Sequence, residues 1–358
     1  MSTIAKTEYK NILIIKPSAA GDIICALPIL PALKNRYPNA KITWLIASHL
    51  ADLLRGHPLL DDLIEFNRRR YGYLTHSWSV TKRFMAFLKI LRQERFDLVI
   101  DLQGLFRSGF LAWTTQAPVR IGPAEKRELG WIFYTHRIPQ LPHDTHIVDR
   151  IAALDSLLDL DLTAPKFILH IQDSAKQKIN DFLHARDLKP NQFITLAPGG
   201  TWPSKRWPTE KFAQLANLIV TQLNYPVVLV GGRSEKPLAE SILQKANNPK
   251  IFDLTAHTTL PELLAVLANS KALVCNDSGP MHMAVALNIP VTAIIGPTNP
   301  QRTGPYRRPQ SIVKSAKPCS PCYKRQCTQV PESQIPPCMH EISVDQVFKN
   351  LKSQLQIV

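Results

Sequence analysis

Short runs of consecutive apolar residues recur along the chain. Each is followed by a polar turn and then by a longer stretch with room for a helix. Asn11-Ile-Leu-Ile-Ile15 is the first run. It is rich in β-branched residues and reads as a buried strand. The turn Lys16-Pro-Ser-Ala-Ala-Gly-Asp22 follows, and a helix is expected over residues 23–36. Further strands are expected at 41–46, 63–66 and 97–101, with helices over 80–95 and 148–158. A second series begins at Phe193-Ile-Thr-Leu-Ala197. Strands are expected at 227–231, 251–254, 272–275 and 291–295, with helices over 210–223, 237–246, 261–269 and 281–287. Pro261 stands at the first position of its helix, where its missing N–H costs nothing. Strands alternating with helices predict βαβ units and parallel sheets. The polar segment 160–189 is expected to contain the linker.

A length of 358 residues suits two domains, and 45% hydrophobic residues suffice for ordinary cores. No apolar run approaches the ~18–20 residues that span a bilayer. The first residues are polar and lack the apolar stretch of a signal peptide, so a cytoplasmic protein is expected. The formal net charge is +15, which favours an anionic partner: a phosphorylated sugar, an anionic lipid surface or a nucleic acid. No nucleic-acid-binding motif accompanies the charge.

Five turns follow strands and carry residues suited to chemistry. Asp22 suits a helix N-cap and a general base equally. The same turn lacks the glycine patterns of dinucleotide-binding and Walker loops. Asn276-Asp-Ser-Gly-Pro-Met-His282 follows a strand and opens a helix, where Ser278, Gly279 and His282 suit a phosphate. Ala197-Pro-Gly-Gly-Thr201 runs into Lys205 and Arg206, a set of open amides, a hydroxyl and two cations that suits a diphosphate. Glu235, after Gly231-Gly-Arg-Ser, reads first as an acid at a helix start and second as a ribose ligand. The long loop from Gly296 to Tyr306 brings Thr298 and Arg302. Cys319, Cys322, Cys327 and Cys338 form a C-x₂-C-x₄-C-x₁₀-C pattern, read as reduced thiols or as a structural metal site.

Taken together these pieces resemble the lipopolysaccharide heptosyltransferases of glycosyltransferase family 9. The resemblance rests on Lys16-Pro-Ser-Ala-Ala-Gly-Asp22, Asp101-Leu-Gln-Gly-Leu-Phe-Arg-Ser108, Lys205-Arg-Trp-Pro208, Asn276–His282 as quoted, and Gly296-Pro-Thr-Asn-Pro300. It implies an α/β GT-B fold, with two Rossmann-like domains whose parallel sheets face an interdomain cleft. Residues 1–175 would bind acceptor and 176–345 the nucleotide sugar, with a C-terminal helix over 346–358. The implied reaction is inverting and metal-independent, and needs no cofactor. It moves a heptose from ADP-heptose to the lipopolysaccharide inner core, on a Kdo–lipid A or heptosyl-Kdo acceptor. Asp22 would be the base. Thr201, Lys205, Glu235, Asp277, Ser278, Gly279 and His282 would bind the donor. Arg68, Arg69, Arg70, Arg107, Lys126 and Arg127 would meet the anionic acceptor. The implied place is the cytoplasm, peripheral on the inner face of the inner membrane, with no nucleic acid partner. The competing readings are a transferase of the same fold using another nucleotide sugar, and a noncatalytic nucleotide or nucleic-acid binding protein.

Overall fold

The computed structural model describes residues 3–67, 70, 77–125, 127–331 and 334–356. The chain divides into two compact units, Met1–His170 and Ile171–Val358. The first contains β1 (Asn11–Ile15), α1 (Ala20–Ala26), α2 (Ile29–Arg36), β2 (Lys41–Ala47), β3 (Asp62–Phe66), α3 (Trp78–Gln93), β4 (Leu98–Asp101), α4 (Phe106–Thr114), β5 (Val119–Pro123), β6 (His136–Ile138), α5 (Ile147–Ala152) and α6 (Asp155–Leu158). Its sheet runs β3-β2-β1-β4-β5-β6, and the paired strands are all parallel. In β1 and β4 nearly every residue is buried, because helices cover both faces of a parallel sheet.

The second unit contains α7 (Asp173–His184), β7 (Ile194–Ala197), α8 (Thr209–Gln222), β8 (Val227–Leu229), α9 (Lys236–Ala246), β9 (Ile251–Asp253), α10 (Leu260–Ala268), β10 (Ala272–Asn276), α11 (Gly279–Ala286), β11 (Val291–Ile295), α12 (Pro300–Thr303), β12 (Ile312–Lys314), α13 (Pro337–Glu341) and α14 (Val344–Gln354). Its sheet runs β12-β11-β10-β7-β8-β9, again parallel throughout. Read from β7, this is the same order as in the first unit. Each unit is therefore a doubly wound sheet whose strand order reverses once, between β1 and β4 or between β7 and β10. α14 turns Val347, Phe348 and Leu351 into the core of the second unit and packs on α8 and β11. Its start is closed by a reciprocal cap, Gln346 N–H to Ser343 Oγ at 3.1 Å and Ser343 N–H to Gln346 Oε1 at 2.8 Å.

The structure departs from the sequence expectation at particular places. The helix expected over 23–36 is two helices, broken at Leu27–Pro28. Pro28 has no N–H to donate to Ile24, and its ring crowds that carbonyl. The Leu27 N–H bonds to Ile24 O instead, at 3.2 Å. The expected linker at 160–189 holds α7, which buries Ala175, Ile179 and Leu183 four residues apart. Lys178 on the same helix reaches Glu262 of α10 at 3.0 Å. Strands β5, β6 and β12 and helix α4 were not expected. The three strands are short and mix polar with apolar residues, so their pattern is weak.

Candidate functional site

In open α/β sheets ligands bind beyond the carboxyl ends of the strands, where the order reverses. In the first unit the turns after β1 and β4 flank that point. Asp22 is the third residue of α1, and Ala19, which has no acceptor, occupies the cap position. The carboxylate reaches back to the Ala19 N–H at 3.4 Å and lies 3.5 Å from Lys16 Nζ. The Asp22 side chain is 40% exposed and that of Lys16 only 6%. Lys16 Nζ also donates to Leu102 O at 3.3 Å. One buried ammonium thus ties the β1 turn to the β4 turn.

Asp101 ends β4 and is fully buried. It accepts from Tyr134 Oη at 2.6 Å and from the N–H groups of Gln103 at 2.8 Å and Gly104 at 3.2 Å. Burial pushes its carboxyl above the usual range, while these donors and Ser108 act the other way. The Tyr134 phenol is pushed up by burial and then by the charge of Asp101. Gly104 sits at φ +71°, a left-handed position suited to glycine. Asp101 and Tyr134 thereby hold the β4 turn in one shape. Arg107, just beyond that turn on α4, is exposed, as is Arg70, whose N–H donates to Asn67 Oδ1 at 3.1 Å. Arg68, Arg69 and Lys126 lie outside the described residues, as does the side chain of Arg127.

In the second unit the turns after β7 and β10 flank the switch point and are bound tightly to each other. Asn276 is fully buried, and its amide donates to Pro198 O at 2.8 Å and Gly199 O at 3.0 Å. Its Oδ1 accepts the Trp207 N–H at 3.1 Å. Next to it, Asp277 Oδ2 receives Lys205 Nζ at 2.8 Å and the Thr298 hydroxyl at 2.6 Å. Asp277 is 5% exposed and the Lys205 side chain 16%. Lys205 Nζ also lies 4.7 Å from the centre of the Trp202 ring. Trp207 is buried, edge-on to Phe212 with ring centres 5.0 Å apart, and anchors the segment that carries Lys205.

Ser278 stands at the cap position of α11, yet its hydroxyl turns back to Asn276 O at 3.2 Å and caps nothing. The start of α11 therefore carries no side-chain cap, which suits an anion. Gly279 begins the helix and His282 lies one turn in, half-buried. Glu235 accepts the Gly232 N–H at 2.7 Å, and its carboxylate lies directly against Gly199. A Cβ at Gly199 would fall 1.8 Å from Glu235 Oε1, so only glycine permits this approach. Thr201 is exposed on the same turn. Lys16, Asp101, Asn276 and Thr298 stand within the sequence motifs, and the structure adds these contacts to them. Their signal is a polar residue inside or beside a buried strand, which calls for an internal partner.

The four clustered cysteines carry no disulfide. Cys338 is buried against Gly296, and its thiol is pushed up to about 11 by burial and by the neighbouring thiols of Cys322, Cys319 and Cys327. The Cys322 N–H donates to Pro297 O at 3.1 Å, so this segment fastens onto the loop bearing Thr298. Among the described residues no group of three or more His, Cys, Asp and Glu side chains is arranged to hold a metal ion.

Two doubly wound parallel sheets, with a helix start that lacks a side-chain cap at the second switch point, place the protein in the α/β class. Residues 84–331 match the model of glycosyltransferase family 9 (heptosyltransferase), and the chain belongs to that family. It is 29% identical over 328 residues to lipopolysaccharide heptosyltransferase 1 of Pseudomonas aeruginosa, covering 90% of this chain and 88% of the relative. It is 30% identical over 315 residues to lipooligosaccharide heptosyltransferase 2 of Haemophilus influenzae, covering 85% and 88%. Its fold is similar to that of E. coli ADP-heptose lipopolysaccharide heptosyltransferase II, with a TM-score of 0.76, 24% identity and 97% and 98% of the two chains covered. The protein is a glycosyltransferase of the lipopolysaccharide heptosyltransferase family.

Proposed function

We propose that this enzyme transfers a heptose from ADP-heptose to the lipopolysaccharide inner core, with inversion and without a metal ion. The observation that carries the reading is the Lys205–Asp277–Thr298 cluster beside the uncapped start of α11. Fixed positive charge at that point stabilises the diphosphate as it departs. Thr201, Ser278, Gly279 and His282 line the same two turns and complete the donor site, and Asp277 holds Lys205 toward it. Glu235, resting on Gly199, takes the nucleoside side.

Asp22 acts as the base. It takes the proton of the acceptor hydroxyl, whose oxygen bonds to the anomeric carbon of the heptose as the bond to ADP breaks. A carboxylate is a chemically suitable base for this proton, and the partial exposure of Asp22 leaves it accessible. Arg70 and Arg107, with Arg68, Arg69, Lys126 and Arg127, meet the acid groups of the acceptor. In this reading the first unit binds acceptor and the second binds donor. No helix among the described residues is long and apolar enough to cross a membrane. We place the enzyme in the cytoplasm, at the inner face of the inner membrane, where a lipid-linked acceptor is presented.

The test is transfer to purified truncated cores, followed by mass, with ADP-heptose compared against UDP- and GDP-sugars. Addition of one heptose from ADP-heptose alone is expected. Asp22→Asn is expected to keep donor affinity and lower the transfer rate by about 10²–10⁴-fold. Turnover of another nucleotide sugar in preference would overturn the donor assignment. Wild-type turnover by Asp22→Asn would remove the base.

A further inference from the structure

Among the described residues of the first unit, the exposed large apolar side chains all lie on α3, on α4 and on the adjoining Arg127–Phe133 stretch. These three elements are neighbours: α3 packs on α4, and α4 on that stretch. The helix α3 buries only Phe87 and Leu91 of its 16 residues. On its outer side Trp78, Lys82, Met85 and Lys89 follow one another at spacings of four, three and four, which places them in one stripe. Trp78 is 83% exposed. Arg83 and Arg92 flank the stripe.

The helix α4 continues the surface. Phe106 and Trp113 are exposed there, and both pack on Phe133, with ring centres 5.2 and 6.4 Å away. Ile132 is exposed beside them. Neither α3 nor α4 contains an Asp or Glu. Glu94, next after α3, pairs with Lys41 at 3.6 Å, Glu128 is exposed on the 127–133 stretch, and Asp101 beside α4 is fully buried.

Clustered apolar side chains on a water-soluble surface mark a contact site. Tryptophan beside lysine, without acids, is the composition that suits one surface in particular. The indole sits at the boundary between headgroups and acyl chains, and the cations meet anionic headgroups. We propose that this face of the first unit docks onto an anionic lipid bilayer, with the Trp78–Lys82–Met85–Lys89 stripe as its centre. The assignment deepens the functional reading and rests on it, since a lipid-linked acceptor must be met at a membrane.

The experiment uses the full chain and sedimentation with vesicles, either phosphatidylglycerol mixed with phosphatidylethanolamine, or phosphatidylcholine alone. Two variants are compared with wild type: Trp78→Ser with Met85→Ser, and Lys82→Glu with Lys89→Glu. Wild type is expected to partition onto the anionic vesicles and not onto phosphatidylcholine. Charge reversal should lower partition about tenfold or more, and loss of the apolar pair should lower it as well. Thermal unfolding of both variants should match wild type. Transfer to a deacylated, soluble core should also stay at the wild-type rate in both, while transfer to acceptor embedded in vesicles falls.

Equal partition of variants and wild type would overturn the proposal, as would failure of wild type to bind anionic vesicles. So would a dimer, seen by light scattering, that both variants dissociate, because a second copy would then cover the face. Vesicle binding and heptose transfer are read separately. Failure of wild type to bind anionic vesicles, with its transfer to the soluble core intact, defeats this inference alone, whereas wild-type binding without any transfer defeats the functional reading alone.

Discussion

At the scale of single residues, Asp277 is the centre of the second unit's candidate site. One of its oxygens receives both Lys205 at 2.8 Å and Thr298 at 2.6 Å. A nearly buried carboxylate needs such partners, since an uncompensated charge in a protein interior is expensive. The pairing also fixes where the Lys205 ammonium stands. Lys205→Ala is therefore expected to weaken ADP binding about tenfold or more, the worth of a charge-assisted hydrogen bond. Asp277→Asn should weaken it in the same direction, because Lys205 loses its anchor without being removed. Calorimetry with ADP measures both, and unchanged affinity in Lys205→Ala would remove the lysine from the donor site. The motif holding Asp277 was legible in the sequence as a strand, a small polar turn and a helix start. The lysine was legible as a cation in a glycine-rich loop. Their contact was not, because 72 residues separate them.

At the scale of elements, the strands carry the site because each delivers a turn to the same end of its sheet. The β4 turn shows how such a turn is held. Asp101 receives two backbone N–H groups of the turn and the Tyr134 hydroxyl. Gly122 leaves room for the Tyr134 ring, which a Cβ there would meet at 2.3 Å. Tyr134→Phe removes one donor from a buried carboxylate and is expected to cost about 1–3 kcal/mol of stability. Chemical denaturation measures this. Lower acceptor affinity with unchanged ADP affinity would follow if the turn presents Arg107 to the acceptor. The sequence pattern missed α4 and β5 around this turn. Their burial depends on neighbours supplied by distant strands, which local periodicity does not register. The break at Pro28 was missed for another reason, since the apolar spacing continues through it while the hydrogen-bond ladder cannot.

At the scale of the whole molecule, the +15 net charge acts over distance and is screened by salt. Transfer to a vesicle-embedded acceptor is expected to fall steeply as salt is raised from about 0.05 to 0.5 M, where the Debye length drops below about 10 Å. The affinity for ADP should fall less, because Lys205 is largely shielded from solvent by its own unit. Initial rates and calorimetry across a salt series check both, and equal slopes would deny the acceptor side its electrostatic steering. By itself the sequence determined the α/β class, the alternation of strands and helices, and the polar turns after strands that are the candidates for chemistry. These are written in local patterns: apolar runs, glycines, and polar residues placed after strands. Only the tertiary structure decided that both units share one strand order. It also decided which turns meet at each switch point, and that Lys16, Asp101, Asn276 and Asp277 are spent on holding those turns. Such contacts join residues far apart in the chain, as with Asp101 and Tyr134, 33 residues apart. They follow from sheet order and from packing around buried polar groups, which no local pattern encodes.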